Sequence, residues 1–125
     1  MTQSYNISEL KNKLSSSDQM IVLFGAGDIG ELANYSLNKL GLKVSFFCDN
    51  DKDKQSKEWY GIKVLSFEDL IKLKKDTNIF ISNNYYSSIS ANLKSYGFTN
   101  FYDCVELLKQ TDFSNQKFKF LHPLK

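Results

Sequence analysis

The run Met20-Ile21-Val22-Leu23-Phe24 is apolar without a break and passes straight into Gly25-Ala26-Gly27-Asp28-Ile29-Gly30. An unbroken apolar run of this length reads as a strand covered on both faces. After the glycines, Ile29, Leu32, Ala33, Leu37 and Leu40 recur at three- and four-residue steps. That spacing predicts a helix over Asp28 to Leu40, closed by Gly41 as its C-cap. A strand buried on both sides, then a glycine turn, then a helix admits few folds, because the strand needs neighbours in a sheet and helices above and below it.

The same alternation continues. Lys43 to Cys48 reads as a second strand, followed by the polar segment Asp49 to Lys57; Ile62 to Leu65 is a third. Ser66 can cap a helix over Phe67 to Lys74, with Asp69 completing a capping box. Ile79-Phe80-Ile81 lies in a fourth strand, Ser87 to Tyr96 is helical up to Gly97, Thr99 to Tyr102 is a fifth strand, and Val105 opens a terminal helix. The expected fold is therefore α/β: a doubly wound parallel sheet of about five strands, ordered 3-2-1-4-5, with helices on both faces. Residues 20–112 form that domain. Residues 1–19 supply an N-terminal helix packing on it, capped by Ser8, with Ile7, Leu10 and Leu14 on one face. Residues 113–125 form a tail in which Lys117 to Leu121 alternates like an edge strand, or a segment docking on a partner, before Pro123.

At 125 residues, 42% of them hydrophobic, the chain suits one core and needs neither metal nor disulfide to hold it. The net charge of +2 is spread along the sequence without blocks of one sign, which argues against nucleic-acid or membrane-surface binding. All sixteen basic residues are lysines. With no guanidinium fork available, an anion must be held by backbone amides or by Lys. Cys48 and Cys104 are far apart, His122 is the single histidine, and neither a thiolate nor an imidazole metal cage is expected. The start of the chain lacks a secretion-signal pattern, so the expected setting is cytoplasmic.

The glycine turn has the G-x-G-x-x-G pattern in the context that gives it meaning, after a buried strand and at the head of a helix. Gly25 permits the tight turn, Gly27 keeps a side chain away from an approaching pyrophosphate, and Gly30 lets the helix close on the sheet. Amides of the helix start, from Ala26 through Asp28 and Ile29, then carry partial positive charge toward an anion. Asp28 places a carboxylate within the motif, which opposes a pyrophosphate if it points inward. Asp49 ends the second strand, nineteen residues after Gly30, where an acidic residue accepts hydrogen bonds from a ribose diol and repels a 2′-phosphate. The expected ligand is thus NAD or another nucleotide, with NADP disfavoured; Asn50 stands beside Asp49. Asn83, Asn84 and Tyr85 follow the fourth strand at the switch point, where amides and a phenol ring can bind ribose or sugar hydroxyls or stack on a base. The same residues also suit a turn without a ligand. Asp49, Asp51 and Asp53 have the alternation of a calcium loop, but Lys54 stands where the glycine is needed, so no metal is expected.

With Ile21 to Gly30 followed by Phe46-Phe47-Cys48-Asp49-Asn50-Asp51 and then Tyr60-Gly61-Ile62-Lys63-Val64-Leu65, the chain resembles the small Rossmann-like nucleotide-binding domains of bacterial surface-polysaccharide and sugar-nucleotide enzymes. Such domains stand at the front of sugar acetyltransferases and dehydratases or are appended to sugar methyltransferases. Lys54-Gln55-Ser56-Lys57 is similar to a Lys-Gln-Gly-Lys stretch of the methyltransferase-appended kind, with Ser56 in place of the glycine. The resemblance implies a nucleotide-binding module for NAD(H) or a UDP- or TDP-type nucleotide-sugar. Gly25, Gly27 and Gly30 would hold the diphosphate and Asp49 a ribose, and the reacting groups would come from a domain or subunit outside this chain. A stand-alone NAD-dependent sugar-nucleotide reductase would need Tyr85, Tyr86 or a lysine as proton donor. A homo-oligomerisation domain with a decayed site, held by the tail, is the third expectation.

Overall fold

Four successive apolar residues stay out of water only if both faces of their strand are covered, and Ile21–Phe24 are all buried. In the computed structural model, which describes residues 6–16, 18–82 and 85–109, this strand is β1, at the centre of the molecule. The elements run α1 (Ile7–Ser15), β1 (Ile21–Phe24), α2 (Asp28–Lys39), β2 (Phe46–Cys48), β3 (Glu58–Trp59), β4 (Ile62–Leu65), α3 (Phe67–Leu70), β5 (Asn78–Ile81), α4 (Tyr86–Ser95), β6 (Asn100–Asp103) and α5 (Cys104–Lys109). The sheet order is β3-β4-β2-β1-β5-β6. Its five parallel strands keep the 3-2-1-4-5 order that the alternation predicts, and β3 joins antiparallel at the edge beside β4.

Side chains alternate across β1. Leu23 joins Phe47, Val64, Phe80 and Tyr102 under Leu10 and Leu14 of α1, Ala33 and Leu37 of α2 and Leu107 of α5. Val22 and Phe24 join Cys48, Ile79, Ile81 and Phe101 under Leu70 of α3 and Leu93 of α4. Each fully buried Leu, Ile or Phe contributes about 1.5–3 kcal/mol, so two such layers outweigh any single polar contact at the surface. The register pairs Phe24 with both Cys48 and Ile81, which brings the ends of β1, β2 and β5 level and sets Gly25, Asp49 and Ser82 side by side along the carboxyl edge.

Several boundaries differ from the expectations. Asn6, rather than Ser8, caps α1: its Oδ1 accepts from the amides of Ser8 at 2.8 Å and Glu9 at 3.1 Å. The second strand begins at Phe46 instead of Lys43, because Leu42 closes α2. Its amide donates to Leu37 O at 2.9 Å while Gly41, at φ 83°, donates to Asn38 O at 2.9 Å, a Schellman motif over two buried leucines. The third helix stops at Leu70 rather than Lys74, as the amides of Lys72 and Leu73 turn to acceptors three residues back. Ser66 caps that helix as predicted, its Oγ accepting from the Asp69 amide. β3 escapes pattern recognition because it is two residues long. It is made by the turn Tyr60-Gly61, whose φ values of 56° and 75° match a two-residue type I′ hairpin. The tail expected over 113–125 lies outside the described residues. No described helix is long and apolar enough to cross a membrane.

Candidate functional site

The three motif glycines do different work. Gly25 has φ 123°, and a Cβ on it would lie 2.0 Å from Ser82 Oγ, which donates to Phe24 O at 2.9 Å and so joins the ends of β1 and β5. A Cβ on Gly30 would lie 2.0 Å from the carbonyl oxygen of Gly25, because α2 crosses directly over the turn. Gly27, the N-cap of α2, is extended at φ −133° and has nothing within 4 Å of a Cβ position. Two glycines are thus demanded by packing, and the third faces open space at a helix start whose N-cap residue brings no side chain. Asp28 and Ile29 are exposed beside it; Ile29, placed on the apolar stripe by its spacing, is 37% exposed at the rim and takes no part in the core.

Asp49 is engaged with this turn. Its Oδ2 accepts from the Ala26 amide at 2.7 Å and its Oδ1 from the Asp51 amide at 2.9 Å. Lys54 completes a clasp, donating from Nζ to Ala26 O at 2.7 Å and standing 4.0 Å from Asp49 Oδ2. Gln55 Nε2 donates to Asp49 O at 2.9 Å. The segment after β2 is therefore tied to the glycine turn by both groups of the Ala26 peptide edge. A neutral amide cannot serve as acceptor for two N–H groups through two oxygens, so Asp49→Asn is expected to lower stability by about 1–3 kcal/mol. Urea denaturation checks this; an unchanged midpoint would show the clasp to be idle.

Between these parts lies a cavity of about 400 Å3. It is lined by Ala26, Gly27 and Asp28 from the turn and by Asp53, Lys54, Lys57, Glu58, Trp59 and Val64 from the residues after β2. Trp59 packs against Phe47 at 5.0 Å between ring centroids, which fixes its indole at the cavity wall. Lys54 and Lys57 were noted within the Lys-Gln-Ser-Lys stretch but not as site residues, and Trp59 was not noted at all. Ser56 has φ 67°, a left-handed conformation in which a glycine is at ease, and that is the position where the similar stretch carries glycine. Asn50 is exposed and does not line this cavity. Tyr85 is 70% exposed at the N-cap of α4, on the β5 side of the switch point, and also stands outside it. Asn83 and Asn84 lie outside the described residues.

No described group of His, Cys, Asp or Glu has the arrangement of a metal site, and the calcium-like aspartates are used locally, Asp51 Oδ1 accepting from the Asp53 amide at 2.9 Å. Tyr86 is raised above its ordinary value by burial and then by Asp103. Cys48 and Cys104 are buried free thiols. Burial first, then Asp49 and Asp69, pushes Cys48 up to about 12, and burial with Asp103 raises Cys104 well above the usual range. Neither is a nucleophile at neutral pH. The folded chain retains thiol protons that the unfolded chain releases, so this contribution to stability is complete below about pH 9 and is lost as pH rises toward 12. The urea midpoint is expected to fall on going from about pH 8 to about pH 10, and Cys48→Ala should flatten that fall; an identical slope in the variant would contradict it.

Residues 17–101 match the C2185-like, N-terminal family. The chain belongs to that family. No curated protein matches the sequence. Among solved structures, this C2185-like domain is similar to UDP-D-quinovosamine 4-dehydrogenase from Vibrio fischeri, at 20% identity and a TM-score of 0.56, covering 66% of this chain and 75% of that one. It is also similar to RSP, a Rex-family repressor, at 17% identity and a TM-score of 0.55 over 96% of this chain and 68% of that one. RSP in complex with beta-NAD+ and operator DNA gives 20% identity and a TM-score of 0.55 over 79% of this chain, which spans about half, 51%, of that protein's length. At these identities the likeness is one of fold, and the fold is Rossmann-like.

Proposed function

We propose that this C2185-like domain is a nucleotide-binding module, holding NAD(H) or a UDP- or TDP-type nucleotide-sugar in the cavity beside the glycine turn. We place it in a bacterial sugar-nucleotide or surface-polysaccharide biosynthesis system, with the reacting groups on a domain or subunit outside these residues. The observation that carries the reading is Gly27: the one motif glycine that packing does not require opens onto a cavity of about 400 Å3 as the side-chain-free N-cap of α2. That volume suits a small-molecule ligand. The diphosphate would meet the first-turn amides of α2, with Lys54 and Lys57 among the lining residues in a chain that has no arginine. Trp59 offers a face for a base, and Asp49, which uses two of its roughly four lone pairs, keeps acceptors for a ribose hydroxyl. Asp28, Asp53 and Glu58 line the same cavity and oppose any phosphate in it; the α2 amides and two lysines would offset this for the diphosphate, while the added charge of a 2′-phosphate has no such partner, which disfavours NADP. The neighbours whose names mention NAD or a UDP-sugar support this choice of ligand class.

Calorimetric titration with NAD, NADP, UDP, UDP-sugars and TDP-sugars tests it. Saturable binding is expected for NAD or for a UDP- or TDP-type ligand, with NADP at least tenfold weaker than NAD. A ligand at a hundred times its Kd should raise stability by about 2.7 kcal/mol. Silence across the panel at millimolar ligand would overturn the proposal.

A further inference from the structure

We infer that the chain carries a second ligand site, built for an uncharged, hydroxyl-rich ring of monosaccharide size. It is a cavity of about 370 Å3 between α2 and the β3–β4 turn, and it shares no lining residue with the glycine-turn cavity. Glu31, Asn34, Tyr35 and Asn38 come from α2 at spacings that put them on one face, and Tyr60 and Gly61 come from the turn.

Asn34 marks the place as more than a crevice. It is 7% exposed, yet its Oδ1 is sealed from water and accepts no hydrogen bond. A buried amide oxygen without a donor is costly, and at this position on a helix an aliphatic side chain would pack without that cost. A ligand hydroxyl would satisfy it once the Asn34 amide, which lines the cavity, turns its oxygen toward the opening. Tyr60 is unusual in the same sense. It sits at φ 56°, in a hairpin turn where asparagine or glycine is the favoured residue, and its hydroxyl donates to Glu31 Oε2. Its ring packs against Trp59 at 5.3 Å between centroids and stands at the rim of the cavity, where it would also cover a ligand.

The lining decides the ligand class. Glu31 and Lys43 are its only formally charged residues and they cancel, so neither a phosphate nor a polyamine finds a matching field. The carboxylate and the asparagine oxygens accept hydrogen bonds, while the asparagine amides and Lys43 donate them. The rings of Tyr35 and Tyr60, with Val44 and Ile62, give apolar surface among these groups. A pyranose has the same division, hydroxyls around its edge and C–H groups on its faces. This inference stands apart from the nucleotide reading and survives if no nucleotide binds.

The test is an amide NMR titration of the full chain with D-glucose, D-galactose and N-acetyl-D-glucosamine, with inorganic phosphate as a fourth probe. At least one sugar should give saturable shifts with a millimolar Kd at residues 31–38 and 60–62, leaving residues 25–30 unmoved, and phosphate should give none there. Asn34→Leu should keep the fold and raise the sugar Kd at least tenfold. Tyr60→Gly, which suits the turn backbone, should do the same. Absence of shifts with all three sugars, shifts confined to the glycine turn, phosphate shifts within this cavity, or affinities unchanged in both variants would each overturn the assignment.

Discussion

Gly30→Ala is expected to cost this domain at least about 3 kcal/mol, the upper end of what overpacking usually costs, and to lower Tm by roughly 10 °C or more. The added methyl would stand 2.0 Å from the Gly25 carbonyl oxygen and 3.2 Å from its carbon. Both are backbone atoms at the end of β1, so no side chain can rotate to make room. Either α2 lifts off the sheet, opening the layer that buries Ala33 and Leu37, or the turn moves and strains the Gly25 N–H bond to Cys48 O at 2.7 Å. Against a total stability of about 5–15 kcal/mol, either response is large. Thermal denaturation followed by circular dichroism reads it directly. A Tm within two or three degrees of the parent would mean that α2 is not seated on the turn as described.

The companion substitution should separate binding from folding. Gly27→Val places a branched side chain where nothing lies within 4 Å, on an extended backbone that valine adopts readily. The fold should lose no more than about 1 kcal/mol, the cost of replacing glycine by a poor N-cap. Nucleotide affinity should fall at least a hundredfold, about 2.8 kcal/mol, because the valine occupies the space through which a diphosphate must approach the α2 amides. Measured by calorimetry beside a melting curve, weakened binding with a near-parental Tm is the expected pair. Parental affinity would remove Gly27 from the site.

These contrasting glycines show how far the amino-acid pattern reached. Burial of Ile21–Phe24, the stripe on α2 and the order of the parallel strands were legible because each rests on a periodicity that solvent exclusion imposes over several residues. Asn6 was missed in favour of Ser8 because both are good caps two residues apart, and only the backbone at Asn6, extended at ψ 129°, decides between them. Ile29 fits the helical stripe but lies exposed in the first turn of α2, so its spacing was right and its environment was not. Asp49 was legible as a residue at the right strand end, whereas its bond to the Ala26 amide across 23 positions depends on a long-range approach that no local pattern encodes. Trp59 and Lys57 were hidden for the same reason: a two-residue strand and a left-handed Ser56 fold their segment back over the turn, and neither leaves a periodic trace. On the β5 side of the switch point, Asn83, Asn84 and Tyr85 suited a ligand and a plain turn equally by their types; Tyr85 stands outside the cavity beside the glycine turn, which lies under the Lys54 clasp.

A crystal structure of the chain grown with saturating NAD or UDP-sugar will show whether the glycine turn holds the ligand. A diphosphate is expected against the amides that begin α2 at Gly27, with Lys54 or Lys57 in contact with it and the rest of the nucleotide running toward Trp59. A nucleotide seated instead on the β5 side beside Tyr85, with the cavity at Gly27 left to solvent, would contradict this placement.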